Sequence, residues 1–166
     1  MRRKSRILLV LFNALLAFHF LRGGQMLGWL FVVSGVILVY GAFRYGSVHA
    51  AFRAVRNGRL DVARAALEET SPRYLDKRSQ AYASWVRAAL AEGAKDLDAA
   101  LTHLEEARQP ALSANDRVVI WVMEAAIHER QGNSASMKRA LHAAKELNPS
   151  AKAAEILQKA EKSMLS

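Results

Sequence analysis

The chain has 166 residues, 52% of them apolar, with three Pro and no Cys. That length allows one modest domain and a short appended segment. The scarcity of Pro points to helices, and the lack of Cys excludes disulfides and thiolate metal sites. The net charge of +9 is unevenly placed: nine cations and no acid occur up to Arg59, and fifteen cations meet fifteen acids beyond it.

The chain opens on "MRRKSR", with Arg2, Arg3, Lys4 and Arg6. Two runs without a formal charge follow, Ile7 to Leu21 and Met26 to Phe43. At 1.5 Å per residue they reach roughly 22 Å and roughly 27 Å, against a hydrocarbon core of about 30 Å. Core helices of a bundle usually keep a polar face, and these runs have none. Residues 1–43 are therefore expected to form a transmembrane hairpin, with helices at 7–21 and 26–43. A cleaved leader over residues 1–22 fits the basic start, but no small-x-small cleavage site follows, which favours an uncleaved helix.

Lys and Arg placement sets the expected orientation. Four cations precede the first run, and Arg44, Arg53, Arg56 and Arg59 follow the second, with only Arg22 in the turn. The positive-inside rule then puts both termini in the cytoplasm. The Ala- and Arg-rich usage suggests a bacterial, multi-pass inner-membrane protein, its cations touching anionic lipid. Gly28, Gly35 and Ala42 recur every seven residues as a small-residue stripe, which Ala14 and Ala17 on the first run can face. Asn13 and His19 are the polar members of the first run. Asn13 is expected to bond within the hairpin and His19 to reach the headgroup level.

From residue 44 the pattern changes to an internal repeat. "NGRLDVARAALEE", "AKDLDAALTHLEE" and "GNSASMKRALHAA" overlay with shifts of 37 residues. Under that shift Ala51, Ala88 and Ala125 align, as do Ala63, Ala100 and Met137, then Leu67, Leu104 and Leu141, then Thr70, Ala107 and Ala144. Spacings of three and four keep these residues on one helix face, where small side chains let two helices cross closely. Helices are expected at about 44–57, 60–70, 76–92, 96–108, 115–131 and 134–147, with an amphipathic cap at 150–164. Ser113 or Asn115, and Ser150, are candidate N-caps. No Pro separates Met26 from Asn57, so the second apolar helix can run on into the first repeat helix.

Over residues 45–151 this pattern resembles the tetratricopeptide repeat family. Trp121, Ala125, Gly132, Leu141, Ala144 and Pro149 fall on that family's large, small, turn, large, small and terminating-proline positions. His128 and Met137 depart from it, Trp85 sits one place off, and Lys95 stands where the family has its turn Gly. The resemblance implies an all-α solenoid of about three helix pairs over 44–166. It also implies a partner groove along each first helix: Tyr82, Trp85, Ala89, Glu92 and Gly93 in the second unit, and Val119, Val122, Ala126, Glu129 and Arg130 in the third. Tyr45, Val48, Phe52, Val55 and Arg56 are the counterparts in the first. The competing assignment makes Tyr82 and Trp85 core, or packs them under the membrane face.

No phosphate-binding Gly-Lys loop and no His-Glu-x-x-His run occurs, so no catalytic set, cofactor or small-molecule substrate is expected. Glu124 and His128, four apart, could form half a metal site, but no second ligand pair accompanies them and packing is the simpler role. Nucleic-acid binding is not expected, because the neutral remainder of the chain offers no continuous basic surface. The expected function is a membrane-tethered scaffold binding a protein partner. The alternative is an accessory subunit of a membrane enzyme or transporter, with the hairpin making the main contact.

Overall fold

The computed structural model describes residues 3–45 and 47–164, with side chains over 8–41 and 47–164. Among the described residues the fold is all-α: nine α-helices, one 3-10 turn and no strand. The chain divides into two compact units, residues 1–79 and 80–166.

The first unit begins with α1 (Arg3–Arg22) and α2 (Leu27–Tyr45), packed together across a short turn. Gly24 in that turn takes φ 67°, a left-handed conformation. The contact between the helices is narrow. Ala17 and Gly28 are buried, and Phe20 stacks on Phe31 with centroids 5.5 Å apart. Gly28 needs its missing side chain, because a Cβ there would lie 2.6 Å from Leu21 Cγ and 2.9 Å from the Leu21 backbone nitrogen. Gly35 has more room, with Asn13 Cβ the nearest atom at 3.9 Å.

Among the described residues, no helix is long and apolar enough to cross a membrane. This overturns the expected multi-pass inner-membrane placement with both termini cytoplasmic. The geometry gives the reason. The 19 residues of α2 rise only about 28 Å, and the last two are Arg44 and Tyr45. The 20 residues of α1 include Arg3, Lys4 and Arg6 at one end and Arg22 at the other, which leaves roughly 22 Å between charges.

A helix pair follows, α3 (Val48–Arg56) and α4 (Leu60–Glu68). Val48, Ala51 and Ala54 of α3 and Ala63 of α4 are buried. The second apolar helix does not run on into this pair: α2 ends at Tyr45 and α3 starts at Val48. Thr70 contributes to the break. Its Oγ1 accepts from the Ser47 N–H at 3.0 Å and donates to the Ala66 carbonyl at 3.1 Å. The Ser47 amide is thereby satisfied by a side chain from beyond α4.

In the second unit α5 (Lys77–Gly93), which begins in the first, is followed by α6 (Leu97–Ala107), α7 (Ala114–Arg130), α8 (Ser134–Glu146) and α9 (Ala151–Met164). Its core gathers Val118, Ala125, Met137, Ala140, Leu141, Ala144, Ala153 and Leu157, which join α7, α8 and α9. Helix starts are set by side chains accepting from the amide three residues on: Asp76 from Ser79, Asp96 from Ala99, Ser113 from Asp116 and Asn133 from Ser136. Asn115 acts elsewhere, its Oδ1 accepting from the Ser150 N–H at 3.0 Å.

The 37-residue recurrence is present in the backbone. Gly58, Lys95 and Gly132 all lie in the left-handed region, at φ 69°, 64° and 71°. Around each the same two hydrogen bonds close the turn. Gly58 donates to Val55 and Arg59 to Ala54; Lys95 donates to Glu92 and Asp96 to Ala91; Gly132 donates to Glu129 and Asn133 to His128. This is the hydrogen-bonded exit expected of a helix ending in a left-handed residue. The aligned small residues are buried as a set: Ala51, Ala88 and Ala125, then Ala63, Ala100 and Met137.

Candidate functional site

Three places were singled out by the sequence: the first-helix faces of the repeats, the hairpin, and the Glu124–His128 pair. On α5, Tyr82, Trp85, Ala89 and Glu92 lie three, four and three residues apart and share one face. Tyr82, Trp85 and Ala89 are buried there, less than a tenth exposed. The two rings lie nearly parallel, 11° apart with centroids at 6.1 Å. Tyr82 Oη donates to Asp116 Oδ2 at 2.9 Å, and Trp85 Nε1–H points at the Met123 sulfur, 3.0 Å away. At the far end of the face Arg130 Nη1 meets Glu92 Oε1 at 2.8 Å. The α5 half of the expected groove is thus packed against α7.

The α7 half is more open. Val119, Val122 and Ala126 are half-buried, and Glu129 and Arg130 are exposed. In the first unit Val48 is buried, Phe52 and Val55 are half-buried and Arg56 is exposed. The Tyr45 side chain lies outside the described residues, as does that of Ala42 from the small-residue stripe. In the second unit Val119, Val122 and Ala126 of α7 are half-buried, Val122 against the α7–α8–α9 core, and Ile156, the position of α9 that corresponds to Val119, is exposed.

The hairpin has the larger apolar surface. Leu8, Leu11, Leu15 and Phe18 on α1, and Trp29, Leu30, Val33, Val36 and Ile37 on α2, are each more than half exposed. Nine large apolar side chains at helical spacing form two stripes facing away from the α1–α2 contact. Isolated folded chains rarely leave contiguous apolar surface of this kind uncovered. Asn13 is half-buried and donates from Nδ2 to the Leu9 carbonyl at 3.0 Å, a bond inside its own helix rather than across the hairpin. His19 is exposed beside the turn, edge-on to Phe20.

Cations follow the hairpin. Arg53, Arg56 and Arg59 are exposed and take part in no ion pair among the described residues. Arg3, Lys4 and Arg6 lie in the first turns of α1, and Arg44 near the end of α2, without described side chains. Arg2 lies outside the described residues.

A polar network joins α6 and α7 that the sequence disclosed only in part. His128 Nε2 lies 3.9 Å from Glu124 Oε1, and its Nδ1 is 3.2 Å from Gln131 Oε1. Gln131 Nε2 in turn donates to Asp98 Oδ1 at 3.1 Å. On the other side Arg108 Nη1 approaches Glu124 Oε2 at 3.5 Å, while its guanidinium carbon sits 3.9 Å from the Trp121 ring centroid. That stacking is a cation–π contact. Glu124 Oε2 and Arg117 Nε are buried without a hydrogen bond. Burial raises the Glu124 carboxyl above its ordinary value of 4.5, against the opposing pull of Arg108 and His128. The signal available in the sequence was the Glu124–His128 spacing; Arg108 and Gln131 carried none, because each reaches the neighbouring helix from the C-cap of its own, Arg108 from α6 and Gln131 from α7. Among the described residues no group of three or more His, Cys, Asp or Glu is placed to hold a metal.

No protein-family model, no curated protein and no solved structure matches the chain.

Proposed function

We propose that the chain is a lipid-associated helical-repeat adaptor. The hairpin rests in a lipid phase, with no need for either helix to cross it, and the α7 side of the repeat face takes a protein partner. The observation that carries this reading is the double apolar stripe on α1 and α2, whose side chains are exposed among the described residues. The recurrence of helix pairs with a shared turn supports the likeness to tetratricopeptide repeats, short solenoids that offer a concave face to other proteins. With Tyr82, Trp85 and Ala89 buried, the contact positions reduce to Val119, Val122, Ala126, Glu129 and Arg130.

A second reading is an accessory subunit whose hairpin packs on the helices of another protein, since the same apolar stripes suit apolar protein as well as lipid. Photo-crosslinking side chains installed singly at Leu15, Val36 and Val122 separate the two. The adaptor gives lipid adducts from Leu15 and Val36 and a discrete protein adduct from Val122. Protein adducts from Leu15 and Val36 with none from Val122 select the accessory subunit. Absence of lipid adducts at both hairpin positions rejects the adaptor reading.

A further inference from the structure

We infer that the outer face of α3 is a docking surface for the phosphate headgroups of anionic lipid, held by Arg53 and Arg56 with Arg59 at its end. The inference rests on the lipid-associated hairpin proposed above and specifies the class of lipid.

Helix α3 is strongly two-sided. Val48, Ala51 and Ala54 are buried, while Arg53 and Arg56, three residues apart, project from the exposed side. Arg59 follows as the N-cap residue of α4, exposed and without a side-chain capping bond. None of the three pairs with an acid among the described residues, although Asp61, Glu68 and Glu69 are all exposed in the same unit. Three neighbouring cations with no acid paired to them among the described residues repel one another, and an external anion relieves that repulsion.

Position in the chain selects the anion. Only three residue steps separate Tyr45, the end of α2, from Val48, the start of α3, a reach of at most about 11 Å. Helix α3, which carries the cationic face, therefore starts close to the end of the hairpin. A guanidinium offers paired N–H donors to phosphate oxygens, whereas the ammonium of a zwitterionic headgroup repels it. No acid occurs anywhere before Asp61, so nothing in this part of the chain offsets the attraction. A cation close to an anionic bilayer contributes on the order of a five-fold gain in binding. Removing two should lower binding by at least ten-fold at low salt.

The test is flotation of the full chain with vesicles of phosphatidylcholine, with and without phosphatidylglycerol. The parent chain is expected to bind both, more tightly when phosphatidylglycerol is present. Arg53→Gln with Arg56→Gln should lower binding to the phosphatidylglycerol vesicles at least ten-fold at low salt and leave binding to phosphatidylcholine unchanged. The control, Lys138→Gln with Arg139→Gln on exposed positions of α8, should keep the parent's preference. Equal binding of the parent to both vesicles overturns the inference and spares the hairpin reading. So does an undiminished preference in the Arg53/Arg56 variant, or an equal loss in the control. Failure to bind either vesicle removes the hairpin reading and this inference with it. Loss of the preference on adding millimolar inorganic phosphate, at constant ionic strength, would assign the site to free phosphate and reject the lipid.

Discussion

Lys95 and Gly132 stand 37 residues apart in the same left-handed backbone conformation, φ 64° and 71°, each closing the turn between two helices with the same pair of hydrogen bonds. A side chain in that conformation costs roughly 1–2 kcal/mol, part of which glycine gives back as unfolded-chain entropy. Lys95→Gly is therefore expected to stabilise the protein by about 0.5–1 kcal/mol. Gly132→Ala should destabilise it by about 1 kcal/mol, for a conformational reason alone, since no atom lies within 4 Å of the added Cβ. Urea unfolding of the two variants checks both signs. A loss of stability in Lys95→Gly would show that the Lys95 side chain makes a compensating contact.

The hairpin glycines separate in the same manner. Gly28→Ala places a methyl 2.6 Å from Leu21 Cγ and 2.9 Å from backbone, so α1 and α2 must move apart. Gly35→Ala meets only Asn13 Cβ at 3.9 Å, an ordinary contact. A disulfide trap between α1 and α2, with cysteines introduced at Ala17 and Val32, should close slowly in Gly28→Ala and at the parent rate in Gly35→Ala. Equal rates would mean that the stripe is not what sets the approach of the two helices.

Trp85 is predicted to be a stability residue. Trp85→Ala empties a buried site between α5 and α7 and should cost about 3–5 kcal/mol. Val122→Ser, on the half-buried part of the same face, should cost about 1 kcal/mol or less. Thermal unfolding ranks the two. If Val122→Ser proves as damaging as Trp85→Ala, the α7 face is core and not a contact surface.

Glu124 gives a pH dependence of definite sign. Its folded-state carboxyl titrates above the ordinary 4.5, chiefly because burial penalises the charged form. The folded protein therefore binds this proton more tightly than the unfolded chain does. The penalty is absent below the unfolded value and grows as pH rises through the folded one. Glu124→Gln removes it, so the variant's stability relative to the parent should improve from pH 4 to pH 8. Paired denaturant titrations at those two pH values measure the change. A relative stability that falls with pH would show that the Arg108 ion pair outweighs burial.

Much of this architecture is visible in the sequence, for physical reasons that differ by element. The starts of α5, α6, α7 and α8 lie within one residue of expectation because each is fixed locally, by a short polar side chain or a turn residue. The recurring buried Ala51, Ala88 and Ala125 were legible because close helix crossings admit only small side chains. The fate of Tyr82 and Trp85 was not. Spacing assigns them one helix face, and whether that face meets α7 or water depends on the pitch between successive helix pairs. The late start of α3 was hidden for a related reason, since Thr70, 23 residues away, supplies the acceptor for the Ser47 amide. The membrane expectation failed on length: hydropathy was read over each run as a whole, and the charges at the helix ends left too little apolar rise.

Helices α5, α7 and α9 begin at residues 77, 114 and 151, an unbroken 37-residue step. The ion pair from Lys145 to Glu161, 2.6 Å, falls on the positions of Arg108 and Glu124 under that same step. Helix α9 therefore meets α8 at the same joint by which α7 meets the end of α6. A second copy of residues 114–150 spliced in after Ser150 would meet matching junctions on both sides. The helix pair is in that respect a unit that duplication can add one at a time, with α9 keeping the joint it has.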